Sequence, residues 1–193
     1  VVVKTNSTFS VVSAAPGTYM MPISNAGTGG SGNYGAIRVD SNNITLAGAI
    51  TMTADAAIQT NTGGITGTVI SGGISGGFNF TRFATGSGAG TLTFTSANTY
   101  TGSTTLGRLL AFTGGVTNLD FSAGTAPTEN ILYNGVGTAG ALTMIGGNNS
   151  STVLQLTGKA GTINSQSFGN LSLNTAGTVG GSAVISLTSG AGG

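Results

Sequence analysis

Apolar and polar residues alternate one by one along much of the chain. In Gly90-Thr91-Leu92-Thr93-Phe94-Thr95, Leu92 and Phe94 fall on one side and three threonines on the other. Ile50-Thr51-Met52-Thr53, Asn170-Leu171-Ser172-Leu173-Asn174 and Ala183-Val184-Ile185-Ser186-Leu187 follow the same two-residue period, as does part of Val153-Leu154-Gln155-Leu156. That period belongs to half-buried strands. The apolar runs are short, and Gly, Asn or Ser clusters close them, such as Gly72-Gly73, Gly76-Gly77, Gly114-Gly115 and Gly146-Gly147-Asn148-Asn149. No stretch combines a 3.6-residue period with caps and a charged outer face. The pattern predicts an all-β chain of many short strands and frequent turns.

Charge then separates the all-β layouts. Only 5% of the 193 residues are charged, against roughly 25% in an ordinary domain. A sandwich normally carries charges on its exposed faces. A β-helix can line its exterior with Thr, Ser and Asn in register, each turn pairing only with its neighbours. The 36 glycines and the asparagines can supply positive φ at the corners. The reading is therefore a parallel β-helix, or β-solenoid. Residues 1–33, with Pro16 and Pro22, read as an irregular N-terminal strand or cap segment, and 34–193 as the β-helix repeat region. Its expected core holds Ile44, Leu46, Ile50, Val69, Leu92, Phe94, Leu154, Leu156, Leu171, Leu173 and Ile185.

Composition also narrows the chemistry. Net charge is +1 and mean hydropathy +0.30, which disfavours both disorder and an electrostatic attraction to nucleic acid. Without cysteine or histidine, no disulfide framework and no thiolate or imidazole metal site can form. No run of 18 apolar residues marks a membrane-spanning helix. The chain starts at Val1 without a signal-peptide pattern, so it is expected to be a mature product or a piece of something longer.

Acid–base work on a sugar needs paired carboxylates or a carboxylate with Lys or Arg. Asp40 and Asp55 stand 15 positions apart and would lie on neighbouring turns if a turn were about that long; Asp120 and Glu129 are less regular. Corner positions beside Ser and Asn are the simpler assignment, and no catalytic residue, metal or cofactor is expected. Gly30-Ser31-Gly32-Asn33-Tyr34-Gly35 fits G-x-G-x-x-G, a cheap match in a glycine-rich chain with no strand–helix unit around it. Tyr34 also stands where a calcium-binding nonapeptide needs its aspartate.

The stretch Gly90 to Leu106, with the core Asn98-Thr99-Tyr100-Thr101-Gly102 followed by Thr104 and Thr105, resembles the autotransporter-associated β-strand repeat. Ser96 and Ser103 stand where that repeat has glycine, and the turn after Leu106 is shorter. Looser similarity extends over about residues 34–175. The resemblance implies a right-handed parallel β-helix, exported and displayed on or released from a bacterial surface, in members that serve as stalks, adhesins and surface-layer material. It implies no catalytic site. Leu92 and Phe94 should point inward, Asn98 and Gly102 should make corners, and the Tyr100 ring should cover an apolar corner with its hydroxyl at the surface.

The expected function is a non-catalytic structural protein of the bacterial surface or extracellular matrix, a stalk or fibre subunit assembling end to end, with an adhesive role as a further expectation. The partners would be head-to-tail copies or adjoining repeats, and surface glycans. Val1, Val2, Val3, Phe9, Val11 and Val12 form the candidate assembly strand. The rival is a polysaccharide- or ice-binding module that uses Thr51/Thr53 and Thr91/Thr93/Thr95 on a flat outer face, which requires such pairs on consecutive turns.

Overall fold

The computed structural model describes residues 1–30, 35–61, 65–85, 90–108, 113–132, 140–146, 150–175 and 181–190. Among them there is no helix. In chain order the strands are β1 (Val2–Val3), β2 (Phe9–Val11), β3 (Gly17–Tyr19), β4 (Ile23–Asn25), β5 (Ile37–Val39), β6 (Ile44–Leu46), β7 (Ile50–Met52), β8 (Ala56–Thr60), β9 (Thr68–Ile70), β10 (Ile74–Ser75), β11 (Phe80–Thr85), β12 (Thr91–Phe94), β13 (Thr104–Leu106), β14 (Thr113–Asp120), β15 (Ala141–Gly146), β16 (Ser151–Thr157), β17 (Asn170–Thr175) and β18 (Ser182–Thr188).

These strands stack into three faces of a β-solenoid. Face 1 holds β1, β4, β7 and β10. Face 2 holds β2, β5, β8, β11, β13, β15 and β17. Face 3 holds β3, β6, β9, β12, β14, β16 and β18. Pairing along every face is parallel. A short antiparallel contact, Ala84 with Gly114 and Thr85 with Thr113, joins faces 2 and 3 at their shared corner.

Midway along the solenoid each turn takes 24 residues: Ile50 pairs with Ile74, Thr45 with Val69 and Phe80 with Thr104. Asp40 and Asp55 therefore do not occupy equivalent positions on neighbouring turns, because their spacing is too short for a 24-residue coil. Instead Asp55 accepts from Asn79, whose side-chain oxygen accepts from Ser103, forming a corner ladder at that period. Left-handed corners repeat as expected. Asn43 (φ 55°) and Gly67 (φ 71°) turn the chain at one corner on successive turns. A side chain on Gly67 would collide with Asn43.

Every second strand residue points inward and stacks on its equivalents. One file runs Tyr19–Leu46–Ile70–Phe94–Leu119–Leu156–Leu187. Another runs Phe9–Ile37–Ile58–Arg82–Leu106–Met144–Leu173. Phe80 meets Phe94 edge-on at 5.9 Å and Tyr100 at 5.5 Å. Each fully buried aliphatic or aromatic side chain contributes about 2 kcal/mol, and the files extend that gain from turn to turn.

Of the expected core, Ile44, Leu46, Ile50, Leu92, Phe94 and Leu154 are buried, and Leu156 packs against them half-buried. Val69 points outward, between Thr45 and Thr93. Leu171, Leu173 and Ile185 stand in inward files but are exposed. The first 30 residues supply β1 to β4, short strands already in register with the turns that follow.

Candidate functional site

The motif residues converge on structure. Leu92 and Phe94 are fully buried. Asn98 is buried too, and its amide ties three turns together. Its oxygen accepts from the Ile74 backbone N–H (2.8 Å), while its nitrogen donates to the Ile131 and Ser96 carbonyls (2.7 and 3.2 Å). Thr99 and Thr101 donate backbone N–H groups to Ile74 and Gly76, which carries face 1 one turn further. A side chain on Gly102 would collide with the Phe78 carbonyl. Tyr100 corrects the sequence expectation. Its hydroxyl is buried rather than at the surface, and it shares a hydrogen bond with Thr104, which is buried as well. Phe80 packs on the ring, and the Thr104 hydroxyl gives the phenol a partner inside the core. Burial pushes its pKa well above the ordinary tyrosine value. Thr105 faces outward.

The carboxylates serve corners. Asp40 accepts from Arg38 and Ser10, both at 2.7 Å. Asp55 takes two bonds from Asn79, and Asp120 holds Ser122. At Glu129 it is the backbone that pairs, in an isolated parallel bridge with Ser165. Among the described residues no three metal-ligating side chains of the His, Cys, Asp or Glu type stand together, and no helix is long and apolar enough to cross a membrane. Residues 31–34 of the Gly30–Gly35 stretch lie outside the described residues.

Sequence reasoning missed Arg82. It lies fully buried in the file between Ile58 and Leu106. Its guanidinium donates to the Gly114 carbonyl (2.9 Å), the Thr60 hydroxyl (3.3 Å) and the Gly90 carbonyl, so it stitches the corner where faces 2 and 3 meet. Burial pushes its pKa down to about 9. The signal was present: in Phe80-Thr81-Arg82-Phe83-Ala84 the two-residue period puts Arg82 on the same side as Phe80 and Ala84.

The outer surface does not carry the expected threonine pairs. Thr51 is flanked by Ser24 and Ser75, and Thr93 by Val69 and Asn118, while Thr95 is buried. A short hydroxyl file forms on face 1, through Ser24, Thr51 and Ser75, and a four-member one on face 2, through Thr81, Thr105, Thr143 and Ser172. Beside it lies a shallow groove of about 310 Å³, lined by Thr81, Thr105, Phe83 and Arg108 among others. Arg108 packs over the Phe83 ring at 5.2 Å.

The two ends of the solenoid present the other candidate surfaces. Val1, Val2, Val3, Phe9, Val11 and Val12 build the first turn of their own chain. The Val1 nitrogen donates to the Pro22 carbonyl (2.8 Å), β1 and β2 pair with β4 and β5, and Val3 and Val11 are buried; Val2 and Val12 remain exposed. At the opposite end, among the described residues, the inward files finish in exposed side chains. Leu173 is 62% exposed, Leu187 76% and Ile163 93%. An open cavity of about 470 Å³ lies there, with Phe121, Leu156, Lys159, Ile163 and Leu187 in its lining. Compared with known proteins, the chain matches no family model, no curated protein and no solved structure.

Proposed function

We propose that this chain is a non-catalytic structural rod of the bacterial cell surface or extracellular matrix, a stalk or fibre subunit joined to further β-structure through its C-terminal layer. The observation that carries the reading is the row Leu171, Leu173, Ile185 and Leu187. These residues stand in the inward files yet face solvent. An exposed apolar patch beside unpaired strand edges is a contact surface. The Asn98–Gly102 motif, which resembles the autotransporter-associated repeat, supports export and surface display. Light scattering and electron microscopy on the purified chain test the reading. Association into larger species is expected, and a monodisperse monomer over a wide concentration range contradicts it.

A second reading is favoured by the hydroxyl file on face 2. Parallel strands repeat at about 4.8 Å, so Thr81, Thr105, Thr143 and Ser172 offer evenly spaced hydroxyls beside the Phe83–Arg108 groove. This suits an extended polysaccharide. Retention on insoluble glycans, lost in Thr105→Val, would support it; equal retention of both proteins would not.

A further inference from the structure

Face 2 carries two outward files side by side. One is the hydroxyl file that runs through Thr81 and Thr105. The other follows the inward residues Arg82, Leu106 and Met144 by one position, so it contains Phe83, Gly107 and Ile145. The Gly107 N–H donates to the Arg82 carbonyl, which holds Gly107 level with Phe83. Its φ is 86°, and a Cβ there would collide with the Ile145 carbonyl, so the position keeps glycine. No side chain rises between Phe83 and Ile145, and the groove of about 310 Å³ is lined by all three residues.

The lining sets the chemistry of what fits. Phe83 and Ile145 are buried and give the groove an apolar floor. Thr81 and Thr105, both half-buried, stand along one side. Arg108 is half-buried, and its guanidinium carbon lies 5.2 Å from the centre of the Phe83 ring, so the ring face holds the cation at the groove. Arg108 alone is charged among the described lining residues, and none of the four carboxylates is among them. The groove is therefore positive. Ligand sites begin at about 300 Å³, so the space suits a short stretch of an extended chain rather than a folded partner.

A sugar ring has apolar C–H groups on its faces and hydroxyls at its rim. A neutral sugar engages the floor and the threonines and leaves the cation unused. A uronic acid adds a planar carboxylate, the group that a guanidinium grips through two parallel hydrogen bonds. We infer that the face 2 groove binds a polyuronate, an acidic polysaccharide with a carboxylate on each sugar, and that Arg108 holds that carboxylate. This rests on the reading of face 2 as a polysaccharide surface.

Polygalacturonate and its methyl ester share one backbone and differ in charge. Titration calorimetry of the full chain with each soluble polymer is the test. Polygalacturonate is expected to bind at least about tenfold more tightly than the ester, and Arg108→Gln should bring its affinity down to that of the ester. Arg108→Lys keeps the charge and loses the fork; it should fall between the two, and it replaces the glutamine variant if that protein fails to fold. Lys4→Gln removes an equal charge from an exposed residue outside the groove and should bind as the unaltered chain does. Equal affinity for the two polymers, weakened for both by Thr105→Val, would overturn the acidic ligand and leave the polysaccharide reading standing. Losses of the same size in Lys4→Gln and Arg108→Gln would trace the binding to net charge and overturn the site. Binding of neither polymer would overturn the acidic ligand and, together with equal retention of the chain and Thr105→Val on insoluble glycans, the polysaccharide reading as well.

Discussion

The file Tyr19–Leu46–Ile70–Phe94–Leu119–Leu156–Leu187 crosses the molecule from one end to the other, and its two ends teach what burial depends on. At the start, Tyr19 is half-buried, and its ring closes the space over Gly17. In the middle Phe94 is fully enclosed between Ile70 and Leu119. At the finish Leu187 has the same strand register and the same inward sense, and it is 76% exposed. The side chains are all apolar and the backbone ladder is continuous. What changes is the presence of a next layer. Contacts within one turn of a β-solenoid, such as Phe80 on Tyr100, do not close its inward files; each turn is also the cover for the one before it.

The sharpest way to break this comparison is to put one substitution at two places in that file. Phe94→Asp removes a large buried ring and strands a charge in the core, so it should cost about 5 kcal/mol or more and unfold the surrounding turns. Leu187→Asp should change the stability of the single chain by less than about 0.5 kcal/mol while abolishing association. Urea unfolding checks both. Equal losses would show that Leu187 is as enclosed as Phe94.

Two asparagines extend the comparison to hydrogen bonds. Asn98 and Asn164 each tie a backbone N–H to a carbonyl on another stretch of the coil, Asn98 in the buried interior and Asn164 near the open end. Asn98→Ala leaves the buried Ile74 N–H without a partner and should cost about 2 to 3 kcal/mol. Asn164→Ala exposes its partners to water and should cost less than about 1 kcal/mol. Matching midpoints for the two variants would count against a dry interior around Asn98.

The strands, their inward sense and most of the core were legible because a two-residue period needs only a few adjacent residues to show itself. Thus Leu92 and Phe94 could be placed from Gly90-Thr91-Leu92-Thr93-Phe94-Thr95 alone. The turn length was not legible from Asp40 and Asp55, since corner residues need not repeat in kind; Asp55 stacks on Asn79 and Ser103 instead. Val69 illustrates the limit of hydropathy, because its parity, set by Thr68 and Ile70 pointing inward, outweighs its apolar character. Leu171, Leu173 and Ile185 have the pattern of core residues, and the pattern is right about direction. Whether they are covered depends on a neighbouring layer that no local pattern encodes.

Alkaline titration separates the interior from the open end, since no charged residue follows Lys159. Burial lowers the Arg82 pKa to about 9 from 12.5. Above pH 9 the unfolded chain therefore holds a proton that the folded chain has released, and stability rises with pH. Tyr100 acts in the opposite sense. Its pKa is raised from 10.0, so above pH 10 the folded chain keeps a proton that the unfolded chain loses, and stability falls. The rise between pH 9 and 10, at most about 1 kcal/mol, should disappear in Arg82→Met. In Tyr100→Phe the rise should continue beyond pH 10. Urea midpoints across this range check the signs, and a Tyr100→Phe protein that levels off at pH 10 would contradict the assignment.

The most direct test of the open C-terminal layer is amide hydrogen exchange on β17 and β18 at low and high protein concentration. If that layer is completed by another β-layer, protection of the β17 and β18 amides should rise with concentration by at least tenfold, equivalent to about 1.4 kcal/mol. The β5 and β13 amides, enclosed at both concentrations, should not change. Protection of β17 and β18 that equals that of β13 in dilute solution, and stays there on concentration, would contradict the account.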